Sequence, residues 1–158
     1  MNNPQTDAKD RTFAALVYLL PLVYALPFGF ILFRQFPFLT IIASPLIELY
    51  AITNALPFAG LIIFFALWFA VVRNDNISYF IRFNTMQAIL LDILLILCSL
   101  IISILIPAFG GQSLIVETLN NTIFMGTTAA CIFGIVQSVR GVYAEIPAIS
   151  DAASSQIR

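Results

Sequence analysis

Histidine is absent from this 158-residue chain, cysteine occurs twice, and only 9% of the residues are Asp, Glu, Lys or Arg. Each scarcity excludes something. A soluble domain carries about a quarter charged residues, so the charge deficit alone argues against one. Without His, and with Cys98 and Cys131 both inside apolar runs, there is neither metal-ligand spacing nor a disulfide framework. No metal and no other cofactor is expected. The sequence also lacks a nucleophile with its base, a phosphate-cradling glycine loop and a pair of catalytic carboxylates, so an enzyme is not expected. Nor is a nucleic-acid partner.

What the chain has is hydrophobicity: 61% apolar residues and a mean hydropathy of +1.00. Four stretches carry no charge at all, residues 12–33, 49–72, 93–116 and 118–139, each about 22–24 residues long. Crossing about 30 Å of hydrocarbon takes about 20 helical residues, so each stretch can span a bilayer once. The remaining uncharged run, 35–47, is too short. The expected fold is an all-α membrane protein of four transmembrane helices, with a polar N-terminal tail (1–11), a transmembrane domain (12–140) and a C-terminal tail (141–158). The bilayer is its first partner.

With four crossings, both termini and the second loop share one side. Lys9, Arg11, Arg73, Arg82, Arg140 and Arg158 fall there, while the other side has Arg34 alone. Arg158 is remote from the last span and is discounted. Basic residues near span ends stay inside, so both termini are expected on the cytoplasmic or an equivalent side.

The first span contains Pro21, Pro27 and Gly29, and is expected to be kinked in its outer half. Residues 36–48, apolar and punctuated by Pro37 and Pro45, read as a short interfacial or re-entrant segment. Residues 73–76 (RNDN) read as a turn, after which a helix capped at Asn76 or Ser78 continues into the third span as far as Pro107.

Asp92 is the one carboxylate or base inside a hydrocarbon region. It shares a 100° helical sector with Asn84, Ser99 and Ser103, a polar stripe that should face the bundle or a wet cavity. Tyr18, Gln137 and Arg140 are its candidate partners. In the fourth span Gly126, Ala130, Gly134 and Ser138 recur every fourth residue, a spacing that lets helix backbones approach closely. That ridge is expected to face another helix, in the same chain or in a second copy.

The segments ISYFIRFNTMQAILLDI (77–93), GVYAEIPAISDAA (141–153), LLPLVYALPFG (19–29) and RQFPFLTIIASPL (34–46) together resemble the Tic20 family. These are four-span proteins of the chloroplast inner envelope, with relatives in cyanobacteria and algal plastid genomes. The resemblance implies membership in, or descent from, a protein translocon, with a contribution to the polypeptide-conducting path. It also implies termini on the inner side, and it makes Arg82, Asn84, Gln87 and Asp92 motif positions. Residues 1–11, which include Asp7 and Asp10, do not read as a transit peptide, so a cyanobacterial or plastid-encoded member is expected. Expected partners are other translocon or membrane-protein subunits, a translocating polypeptide and a second copy of the chain. Two other functions fit the residues: a small-solute transporter built around Asp92, and a membrane scaffold or assembly factor.

Overall fold

The computed structural model describes residues 6–157, and over these helices joined by short loops make up the fold, with no strand. Part of the polar N-terminal tail, and Arg158 from the charge count, lie outside the described residues. Among the described residues four helices are long and apolar enough to cross a membrane: Ala8–Gln35, Pro37–Ala55, Tyr79–Phe109 and Leu114–Val139.

The first is two arms, α1 (Ala8–Leu16) and α2 (Leu19–Gln35). Asp7 caps α1 by accepting from the Ala8 N–H. The joint at Val17–Tyr18 has a specific cause. Pro21 has no N–H to offer the Val17 carbonyl, which takes the Leu20 N–H three residues on instead, at 3.2 Å.

The second crossing departs from expectation. Residues 49–72 do not form one helix, and 36–48 is not a separate short segment. Instead α3 (Pro37–Ala55) begins with proline in its first turn and runs through Pro45, while α4 (Ala59–Leu67) follows after a break. Pro57 makes the break. The residue before a proline is driven out of the helical region, and Leu56 is extended (φ −103°, ψ 124°). Phe58 then turns through a left-handed conformation (φ 62°) into α4. A π-turn at Trp68–Val72 closes the arm, with the Arg73 N–H donating to the Trp68 carbonyl at 3.0 Å. Together Ala59–Val72 is too short to cross alone. No residue of α3 is buried, whereas Val72 at the far end of the second arm is almost fully buried.

α5 (Tyr79–Phe109) is 31 residues, about 46 Å at 1.5 Å per residue, and so exceeds the roughly 30 Å of hydrocarbon. Its N-terminal part is the packed part, where Arg82 to Ile89 are all buried. Ser78 stands at its N-cap position without a side-chain cap bond, and Pro107 is tolerated in the last turn before Gly110 ends the helix. The loop that follows is only the few residues between Phe109 and Leu114. The Ser113 hydroxyl accepts from the Val116 N–H and Glu117 sits in the first turn, so α6 (Leu114–Val139) starts four residues ahead of the uncharged stretch. After α6 the tail bends back, and α7 (Ile149–Gln156) lies against α5.

Three apolar clusters hold the bundle. Val72, Phe83, Met86 and Ile89 meet Ala153 and Ile157 of the tail at one end. Tyr18, Leu91, Cys131 and Ile146 form the middle. Ala25, Phe28, Leu95, Ile102 and Val116 occupy the other end.

Candidate functional site

Asn84 is fully buried and joins three chain segments. The Tyr18 hydroxyl donates to its Oδ1 at 2.9 Å, and the Ser138 hydroxyl donates to the same oxygen at 3.2 Å. The Asn84 amide donates to the Phe80 carbonyl one turn back, at 2.8 Å. One turn onward, Gln87 Nε2 donates to the Ala144 carbonyl at 2.8 Å and to the Tyr18 hydroxyl at 3.3 Å. Tyr18 is therefore held by α5 from both sides, and the tail is held by Gln87. A buried polar network of this kind is costly if one member is removed, because the others lose partners where water cannot replace them.

Arg82 lies on the other side of α5. Its Nε donates to the Val72 carbonyl at 2.9 Å, and its Nη1 is 3.1 Å from Asp75 Oδ1. The guanidinium thus ties the π-turn and the following loop to the start of α5. Asp75 is largely exposed, so the ion pair itself contributes little and the backbone contact dominates.

Asp92 is two turns beyond Asn84 and belongs to neither group. It lines a cavity of about 710 Å³ between α2, both arms of the second crossing and α5. Tyr24, Tyr50, Asn54, Ser99 and Asn120 also reach this cavity, among apolar walls from Phe28, Phe64 and Leu95. Asp92 Oδ1 and the Tyr24 hydroxyl are buried and hydrogen-bond to no described residue. The expected partner Tyr18 is instead bonded to Asn84 and Gln87, while Arg140 Nη1 donates to Gln137 on its own helix. The expected polar stripe divides accordingly: Asn84 enters the network, Asp92 and Ser99 the cavity, and the exposed Ser103 bonds back to the Leu100 carbonyl.

On α6 the small residues also divide. A Cβ placed on Gly134 would lie 2.5 Å from the Tyr18 ring, so the absent side chain is what admits the phenol. Ser138 is buried and Ala130 packs at the edge of the middle cluster. Gly126, expected in the packed ridge, has nothing within 4 Å and is exposed. The buried stripe turns to Thr127 and Cys131 instead, because 3.6 residues per turn carries a strict four-residue spacing around the helix. Gly29 makes a second close approach, with a notional Cβ 2.8 Å from the Phe124 ring of α6.

Residues that the sequence did not single out are Tyr24, Tyr50 and Asn54 of the cavity and the backbone carbonyls of Val72 and Ala144. The carbonyls carry no sequence signal. The cavity residues come from α2 (Tyr24) and α3 (Tyr50 and Asn54), too far apart along the chain for any local pattern to mark them as one group.

The arrangement is that of a helical membrane bundle with a buried polar end and a side cavity, and with no metal-holding cluster among the described residues. The family model described as "Chloroplast import apparatus Tic20-like" matches residues 3–153, and the chain belongs to the Tic20 family. It is 55% identical to a Tic20 family protein of Synechocystis over 157 residues, covering 99% of this chain and 98% of that one. It is 34% identical to the protein TIC 20-v, chloroplastic, of Arabidopsis thaliana, covering 96% of this chain and 72% of the relative. A Tic20 family protein Ycf60 of Gracilaria tenuistipitata is also 34% identical, over 154 residues.

Proposed function

We propose that the protein is an integral membrane subunit of a protein-translocation system and contributes to a polypeptide-conducting path. The observation that carries this reading is the family match over residues 3–153, which takes in the buried polar end and the tail together. Its membrane is a cyanobacterial membrane or a plastid inner envelope. The five-to-one excess of Lys and Arg supports placing both termini on the cytoplasmic or stromal side. The Arg82–Asn84–Gln87 segment then serves as the inner anchor of the bundle. Asp92 stands beyond it, facing the space between helices.

The experiment is site-specific photo-crosslinking from Asn54, Ser99 and, as a lipid-facing control, Ile104, to a polypeptide stalled during translocation. Adducts from Asn54 and Ser99 but not from Ile104 are expected. Adducts solely with resident membrane proteins would replace the conduit with a scaffold or assembly role.

The cavity favours one second reading, transport of a small solute past Asp92. Four crossings are few for a transporter, which would then work as an oligomer. Solute flux in liposomes that disappears in Asp92→Asn would support it.

A further inference from the structure

The cavity beside Asp92 has the make-up of a ligand site. Its volume of about 710 Å³ lies within the range of small-molecule pockets, about 300–1,000 Å³, and its walls are mostly apolar with a few converging polar groups. Asp92 is 9% exposed, and its Oδ1 accepts no hydrogen bond from any described residue. The Tyr24 hydroxyl, brought to the same cavity by α2, is buried and hydrogen-bonds to no described residue either. No Lys or Arg lines the space. A buried carboxyl is normally paired or hydrogen-bonded, so this one lacks what a cationic donor would supply.

The shape gives direction. Along α5 the lining runs from Asp92 to Ile102, about 15 Å at 1.5 Å per residue, so the acid stands at one end of an elongated apolar space. Asp92 is 17 residues before the outer end of α5 at Phe109, about 25 Å, which puts it near the inner edge of a 30 Å hydrocarbon layer. A head group held there would let its chain run toward the bilayer centre. Leu61 and Ile96 in the lining are both more than half exposed, and no residue of α3 is buried, so apolar side chains at this cavity face outward, which in a bilayer is toward lipid.

We infer that this cavity binds a single-chain amphiphile with a protonated amine head, the ammonium on Asp92 and Tyr24 and the apolar chain along Phe28, Leu95 and Ile102. The amine supplies both the missing positive charge and the missing donors, while an alcohol supplies donors alone and a fatty acid adds a second carboxyl.

The test uses the full chain in a non-ionic maltoside detergent, with dodecylamine, dodecanol and dodecanoate as probes and one-to-one adducts counted by native mass spectrometry. Dodecylamine is expected to saturate at one equivalent and to bind at least tenfold more tightly than dodecanol, with dodecanoate weakest. Asp92→Asn should weaken the amine at least tenfold and leave dodecanol unchanged. Ser99→Trp, which narrows the cavity and keeps the carboxyl, should weaken both amine and alcohol, and it serves if Asp92→Asn does not fold. Equal binding of all three probes, or amine binding indifferent to either substitution, would overturn the assignment. Lipid extracted with the wild-type protein tells the sources apart: an amine-bearing lipid lost from the variant points to the bilayer, and its absence beside a positive dodecylamine result points to a free amphiphilic amine.

Discussion

Gly134 on α6 and Tyr18 at the joint of α1 and α2 occupy space that only a residue without a side chain leaves free: a Cβ at 134 would stand 2.5 Å from the phenol ring. That ring lies at full burial and its hydroxyl reaches Asn84, so the glycine decides whether the polar end can assemble at all.

Gly134→Leu should therefore cost about 1–3 kcal/mol by overpacking, seen as a lower melting temperature in detergent and a reduced monodisperse yield. Gly126→Leu, on the same helix but facing open space, should leave both unchanged. Equal effects would mean that the Tyr18 contact does not limit stability.

Tyr18→Phe keeps the packing and removes a donor to Asn84 and an acceptor for Gln87, which retains the Ala144 carbonyl. Asn84 Oδ1 retains the Ser138 hydroxyl, so the expected loss is about 0.5–1.5 kcal/mol. Asn84→Leu removes the acceptor of both hydroxyls and should lose about 1–3 kcal/mol. Thermal unfolding of both variants checks the order, and Tyr18→Phe losing more than Asn84→Leu would contradict it.

Ending the chain after Gly141 should loosen the polar end of the bundle. Gln87 would lose the Ala144 carbonyl, and Val72, Met86 and Ile89 would lose Ala153 and Ile157. Trp68, the only tryptophan, packs against that cluster and gives a direct readout. Its emission should shift to the red in the truncated protein, and an unchanged spectrum would show that the tail is not needed there.

Gly141 takes a left-handed backbone (φ 73°), and a Cβ on it would lie 2.8 Å from Arg11 Nε. Gly141→Ala should cost about 1–2 kcal/mol from the backbone alone. Tolerance within a few tenths would mean the turn relaxes.

For orientation, single cysteines at Ser155 and Gln112 (with Cys98 and Cys131 replaced) separate the two sides. Only Gln112→Cys should react with an impermeant reagent in intact cells if, as proposed from the basic asymmetry, the loop between α5 and α6 lies outside. Labelling of Ser155→Cys without permeabilisation would reverse the orientation.

Four apolar crossings were legible because uncharged runs of spanning length announce themselves. The second one misled over its bounds: Pro57 interrupts the uncharged run, and hydropathy does not register a proline that turns the chain while keeping it apolar. The start of α6 was hidden by Glu117, a charge that ends an apolar run yet suits a helix N-terminus. At the polar end, Asn84 and Gln87 stood out as residue types inside a motif. Their pairing did not: Tyr18 and Ser138 stood out for other contacts, with Asp92 and along a packing ridge, and Ala144 acts through its backbone.

The Ala144 carbonyl that receives Gln87 lies 57 residues downstream, close to the end of the chain. Closing a loop of that length costs chain entropy before any contact repays it, so this bond follows the local turns of α5 and α6. Until it forms, the buried amide of Gln87 has only Tyr18 to bond, and the tail then works as a clasp over that end of the bundle.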